Sequence, residues 1–322
     1  MIIDMCAHHI PRSVRPFISK AGFYEQGHNH EQESGSGIDK VFYAPQNADP
    51  EARLELMDKY NIDIQVLSQT TPVLLGSSSE EASEICRLSN NDNYALCKLY
   101  PNRFVNICAI SLLDVKTALK ELQLSISYLD CRGVTVSSNQ NGKGLDASEY
   151  FPFYQKIVEY DLPLFIQPTN WEPYPLVGLE KGRGAMVAIG WPFDTTQAIY
   201  RLIVGGVIDA FPSLKIITHH CGAMLPFFAR RIEITLRKVL KREPSVYWNN
   251  IYGDTAVAGS LPAHICGYAF FGADRMMFGS DYPFGGETRV KEGVACIKNM
   301  NIPEEDSKKI FGGTAARLFK II

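Results

Sequence analysis

The sequence has no uninterrupted apolar run approaching the roughly 20 residues of a membrane-spanning helix. Met1 to Cys6 lacks the basic start and apolar core of a secretory signal. Neither sign of charge dominates: 32 Lys and Arg stand against 35 Asp and Glu. A formal net charge of −3 gives no electrostatic reason to expect nucleic acid or an anionic membrane as a partner. The eight cysteines (6, 86, 97, 108, 131, 221, 266 and 296) show no short paired spacings and fall mostly in apolar segments, as buried free thiols do. A reduced, cytoplasmic protein is expected. No linker, low-complexity tract or short repeat divides the 322 residues, and 46% hydrophobic content gives ample core.

What the chain has is alternation. Short apolar runs predict strands at 2–5, 62–68, 104–110, 133–136, 163–166, 214–218, 251–254 and 276–278. Helices are predicted from Asp49-Pro50, an N-cap followed by proline at the first helical position, and over 80–99, 115–128, 150–160, 195–210 and 226–240, with one more at the C-terminus. Eight strands interleaved with helices make an α/β protein, a closed (β/α)₈ TIM-like barrel of one domain over 1–322. Residues 12–49 form a long connection, read as a lid or small insertion. His28 and His30 in it read as a solvated pair.

Parallel barrels keep their chemistry at the carboxyl ends of the strands. In Met276-Met-Phe-Gly-Ser-Asp281-Tyr-Pro283, glycine and serine end the run, Asp281 stands just beyond, and Pro283 blocks continuation. Period-2 geometry puts Cys6 and His8 on one face of the first strand. Gln167, His219, His220 and Asp254 occupy other strand ends. Each has a plainer reading: Cys6 as core, His8 as a hydrogen-bonded strand-end histidine, Asp281 as a turn cap. Thiol, imidazole and carboxylate gathered at one rim are what a mononuclear metal centre or a general acid/base pair requires.

Several motifs carry a resemblance. They are Ile3-Asp4-x-Cys6-x-His8-x-x-Pro11, Asn90-Asn91-Asp92 with Tyr100-Pro101-x-Arg103-Phe104, Phe165-x-Gln167-Pro168, His220-x-Gly222-x-x-x-Pro226, and Gly279-Ser280-Asp281-Tyr282-Pro283-Phe284. Their order resembles the amidohydrolase superfamily, in the branch of 2-amino-3-carboxymuconate 6-semialdehyde decarboxylase and the hydroxybenzoate decarboxylases. The resemblance implies a distorted barrel, often a homodimer. It also implies a divalent metal held by a strand-1 pair, a histidine ending strand 5 and an aspartate ending strand 8. Carried over, the ligands are Cys6, His8 and Asp281, with zinc the expected ion. Gln167 stands where the strand-5 histidine should be, and an amide oxygen is the poorer zinc ligand. Asp281 and His220 take the catalytic places. Tyr43, Trp191, Gln167 and Arg231 are candidate substrate contacts, with Arg231 equally readable as half of a surface ion pair.

The implied activity is non-oxidative decarboxylation of a small aromatic or unsaturated carboxylic acid. Alternatives are hydrolysis of a lactone, amide or C–C bond, with or without metal, and a non-catalytic binding barrel. A Cys6 nucleophile is a further variant.

Overall fold

Apolar runs of three to six residues, each ended by a polar or small residue, form the staves of a parallel ring in the computed structural model, which describes residues 1–18, 49–70, 74, 76–169 and 186–321. Tyr43, His28, His30 and most of the connection over 12–49 lie outside the described residues. The staves are β1 (Ile3–His8), β2 (Ile64–Ser68), β3 (Phe104–Asn106, continued by Cys108–Ala109), β4 (Val134–Ser137), β5 (Pro163–Gln167), β6 (Lys215–Thr218) and β7 (Ile251–Gly253). All neighbouring pairs are parallel, from β1 through to β7.

An eighth stave at 276–282 closes the ring. The amides of Gly253 and Met277 bond to the carbonyls of Arg275 and Gly253 on the β7 side. Those of Met5, His8 and Asp281 bond to the carbonyls of Phe278, Tyr282 and Cys6 on the β1 side. The predicted (β/α)₈ barrel is therefore present. Among the described residues no helix is long and apolar enough to cross a membrane.

Strict alternation fails once in β1, with consequences for the site. Asp4 pairs with Gln65 but Ala7 pairs with Leu67, so three steps on β1 face two on β2. This bulge changes the parity of the strand. Ile3 and Met5 pack in the interior cluster with Val66, Phe165, Ile217 and Met277, and so does Cys6, directly after Met5. His8 follows Cys6 inward. Helices cover the outside: α1 (Pro50–Lys59), α2 (Ser79–Leu99), α3 (Val115–Tyr128), α4 (Phe151–Glu159), α5 (Trp191–Val204), α6 (Leu225–Leu236), α7 (Leu261–Phe271) and α8 (Gly286–Asn299). Asp49, Ser78 and Asp114 cap α1, α2 and α3 by accepting from first-turn amides.

Two helical expectations need correction, and one helix had no expectation. The helix expected over 195–210 is two, α5 and Val207–Ala210, because Gly206 turns between them at φ 78°. The helix expected to reach residue 240 stops at Leu236. The helix α7 was not foreseen, since it is apolar almost all round and offers no periodicity.

Behind the rim, one fully buried guanidinium ties β1, β2, α1 and the eighth stave together. Arg53 donates to Gln65 Oε1 at 3.0 Å and to the His8 carbonyl at 2.7 Å, and lies over the Tyr282 ring. Gln65 in turn donates to Asp4, which also accepts from the Ser280 hydroxyl and amide. Burial lowers the Arg53 pKa to about 10, so it stays cationic at neutral pH. Arg53→Met strands these acceptors and is expected to cost about 3 kcal/mol, measured as a lowered denaturation midpoint. An unchanged midpoint would show that the network is not structural.

Candidate metal centre and active site

Cys6 and His8 reach the rim through the β1 bulge. Asp281 reaches it from the other side of the closure, in a left-handed conformation (φ 64°) that aspartate tolerates better than most residues. His219 follows β6 immediately and keeps an extended backbone. His220, Cys221 and Ala223 then all have positive φ, a costly run for residues with Cβ atoms. Asp254, just past β7, pins this turn: Oδ1 accepts from the Cys221 amide at 2.9 Å and Oδ2 pairs with His219 Nδ1.

The groups converge closely. His8 Nε2 lies 3.2 Å and His219 Nε2 3.4 Å from the same Asp281 oxygen, Oδ1. Cys6 Sγ is 3.8 Å from His8 Nε2. One ligand atom from each of Cys6, His8, His219 and Asp281 falls within 4.8 Å of all the others, and all four residues are buried. The far side of each polar group is held: His8 Nδ1 by Ser68 Oγ at 3.1 Å, His219 Nδ1 by Asp254, and Asp281 Oδ2 by Arg289.

Burial and charge set the protonation. Burial opposes the Asp281 carboxylate, but hydrogen bonds from His219 and His8 outweigh it and hold the group far below the usual carboxylate range. For His219 burial opposes protonation, yet the Cys6 sulfur and the carboxylates of Asp254 and Asp281 raise it well above an ordinary imidazole. Burial lowers His8, and burial pushes the Cys6 thiol up. His220 is lowered to about 3 by burial and then by the charge of His219. A bound cation would displace the proton that burial keeps on the Cys6 thiol. Sulfur, two imidazoles and a carboxylate, deprotonated in this way, fit a divalent metal.

The sequence-predicted residues divide. Cys6, His8 and Asp281 are brought together. The imidazole meeting Asp281 is that of His219, one position before His220. The reason is that β6 ends at Thr218 and the positive-φ turn carries His220 off the strand path. His220 stacks beside the cluster, its ring centroid 3.7 Å from that of His219 and 6.2 Å from that of Trp191. Gln167 is buried at the end of β5, paired with Ser137. Arg231 is exposed on α6, away from the cluster's hydrogen bonds and ion pairs among the described residues. Sequence reasoning did not single out Ser68 or Arg289. Ser68 ends a predicted strand, a readable signal, whereas Arg289 lies on α8 with none.

A family model described as Amidohydrolase matches residues 3–321. The chain belongs to the amidohydrolase family. It is similar to gamma-resorcylate decarboxylase of Rhizobium radiobacter, 30% identical over 84% of this chain and 87% of the relative. Among solved structures, it resembles 2,6-dihydroxybenzoate decarboxylase complexed with 2,6-dihydroxybenzoate, with a TM-score of 0.81 and 25% identity, covering 99% of this chain and 100% of that one. It also resembles the dihydroxybenzoic acid decarboxylase of Polaromonas sp. JS666 with bound manganese and 2-nitroresorcinol, with a TM-score of 0.85 and 26% identity over 99% and 97% of the two chains. This amidohydrolase is an enzyme, and the manganese bound in its solved relative supports a divalent metal.

Gly279 controls the spacing of that centre. A Cβ there would stand 2.9 Å from Cys6 Cβ and 3.0 Å from Asp254 Cβ, closer than side chains tolerate. Gly279→Ala is expected to destabilise by about 1–3 kcal/mol through overpacking and to lower metal content after dialysis, read by thermal melting and elemental analysis. Wild-type values in both would refute the wedge.

Proposed function

We propose that this amidohydrolase removes CO2 without oxidation from a small aromatic or unsaturated carboxylic acid, a hydroxybenzoate being the preferred class. The observation that carries the reading is the Asp281 carboxylate, gripped by two imidazoles and Arg289 at a buried rim. The relatives named as decarboxylases favour it over hydrolysis. The expected metal, which we read as zinc because a thiolate is among the ligands Cys6, His8 and Asp281, would supply Lewis-acid charge to a substrate oxygen when bound.

The remaining work falls to side chains. Decarboxylation breaks one C–C bond, leaves its electron pair on the ring carbon and replaces CO2 by a proton. Asp281 is the group we place to pass the incoming proton to that carbon. His220, neutral at physiological pH, has an Nδ1 with no partner among the described residues and is free to hold a substrate oxygen. Trp191, stacked on it, walls the ring, and Gln167 offers an amide from β5. Tyr43 stays a proposed contact. Arg231 gains no support from its exposed place.

Two further parts of the reading concern setting. A homodimer is supported by apolar side chains exposed on adjacent helices, Phe227 (78%) and Ile234 (61%) on α6 and Ile265 (52%) on α7. A cytoplasmic location is supported by eight cysteines that are all free.

Incubation with 2,6-dihydroxybenzoate and related hydroxybenzoates is expected to release CO2. Asp281→Asn should cut turnover by about 10²–10⁴-fold with an unchanged circular dichroism spectrum. Hydrolysis of lactones or amides without CO2 from any acid would overturn the assignment. Sedimentation should give a dimer that Phe227→Glu converts to monomer, and a wild-type monomer would contradict the interface.

A further inference from the structure

The family resemblance calls for an imidazole at the end of strand 5, and this chain has Gln167 there. We infer that His219, at the end of the neighbouring stave, replaces the missing strand-5 imidazole, so that the metal is held by Cys6, His8, His219 and Asp281. The inference rests on the metal part of the proposed function and is independent of the decarboxylation.

Distance separates a ligand set from an ordinary hydrogen-bonded cluster. Zinc bonds of about 2.0–2.3 Å in tetrahedral array put neighbouring donor atoms about 3.3–3.6 Å apart. Good N–H···O hydrogen bonds between the same groups cluster near about 2.9–3.0 Å. The separations here are 3.2 Å from His8 Nε2 to Asp281 Oδ1, 3.4 Å from His219 Nε2 to the same oxygen, and 3.8 Å from Cys6 Sγ to His8 Nε2. They bracket the edges of a coordination tetrahedron and are longer than well-formed N–H···O bonds, while Cys6 Sγ also stands 3.7 Å from His219 Nδ1.

The outer partners agree. A ligating histidine usually gives its second nitrogen to a carboxylate or another polar group, which fixes ring and tautomer. His219 does so with Asp254, a residue 0% exposed that also braces the strained turn after His219. His8 does so with Ser68, and Asp281 spends its second oxygen on Arg289. His220 has no such brace, and its Nδ1 meets no partner among the described residues. A thiolate with two imidazoles also selects a borderline-soft cation over manganese, which prefers oxygen ligands.

The test is metal binding, read without substrate. Apo wild-type protein given equimolar Zn2+ and Mn2+ is expected to retain about one zinc per chain. Loaded with Co2+, it should show a sulfur-to-metal charge-transfer band that Cys6→Ser abolishes. His219→Ala should weaken zinc by more than the roughly 10–100-fold lost with an outer partner, and Asp254→Asn by about that amount. Gln167→Ala should leave zinc affinity within a few-fold of wild type. The inference is overturned if Gln167→Ala loses the metal, if His219→Ala keeps it, or if manganese prevails. Should His219→Ala not fold, Asp254→Asn together with the Gln167→Ala comparison decides. Failure to release CO2 from hydroxybenzoates would leave all of these outcomes standing.

Discussion

A single buried carboxylate oxygen organises the rim. Asp281 Oδ1 faces His8 from the first stave and His219 from the sixth, while Oδ2 takes Arg289 from the helix that follows. An unpaired carboxylate at 4% exposure would be heavily destabilising, so these partners are requirements rather than ornaments. The Asp281 amide also bonds the Cys6 carbonyl, one of the links by which the last stave meets the first. Ring closure and site assembly are therefore the same event. A barrel whose eighth stave slipped would lose its ligands together with its seam.

Local rules are broken where this assembly needs them broken. Strand β1 carries an extra residue so that Cys6 and His8 turn inward after Ile3 and Met5 have already filled the core. Past β6, a run of non-glycine residues adopts positive φ, held by both oxygens of Asp254. Strain of this kind persists only where the surroundings over-determine it, and it gathers at sites of function. The network of Arg53, Gln65, Asp4 and Ser280 supplies that determination beneath the rim.

Much of this was legible in the residues. The apolar runs were distinct enough to predict all eight staves and the barrel, and Asp281 announced itself by standing between Gly279-Ser280 and Pro283. The shared face of Cys6 and His8 was legible from their spacing, and their place in a site only from the other strand ends gathered with them. The choice between His219 and His220 was not, because motif spacing from Pro226 points to His220, whereas which ring enters the cluster depends on backbone dihedrals of a strained turn. Arg289 was equally hidden, since a guanidinium eight residues along on a helix has no local mark. The helix α7 escaped because uniform apolarity erases the 3.6-residue pattern by which helices are read.

X-ray absorption at the zinc edge of the loaded protein addresses the centre most directly. The account predicts one sulfur near ~2.3 Å and a shell of nitrogen and oxygen near ~2.0–2.1 Å with imidazole scattering from two rings. A shell of light atoms alone, with no sulfur, would remove Cys6 from the centre and contradict it.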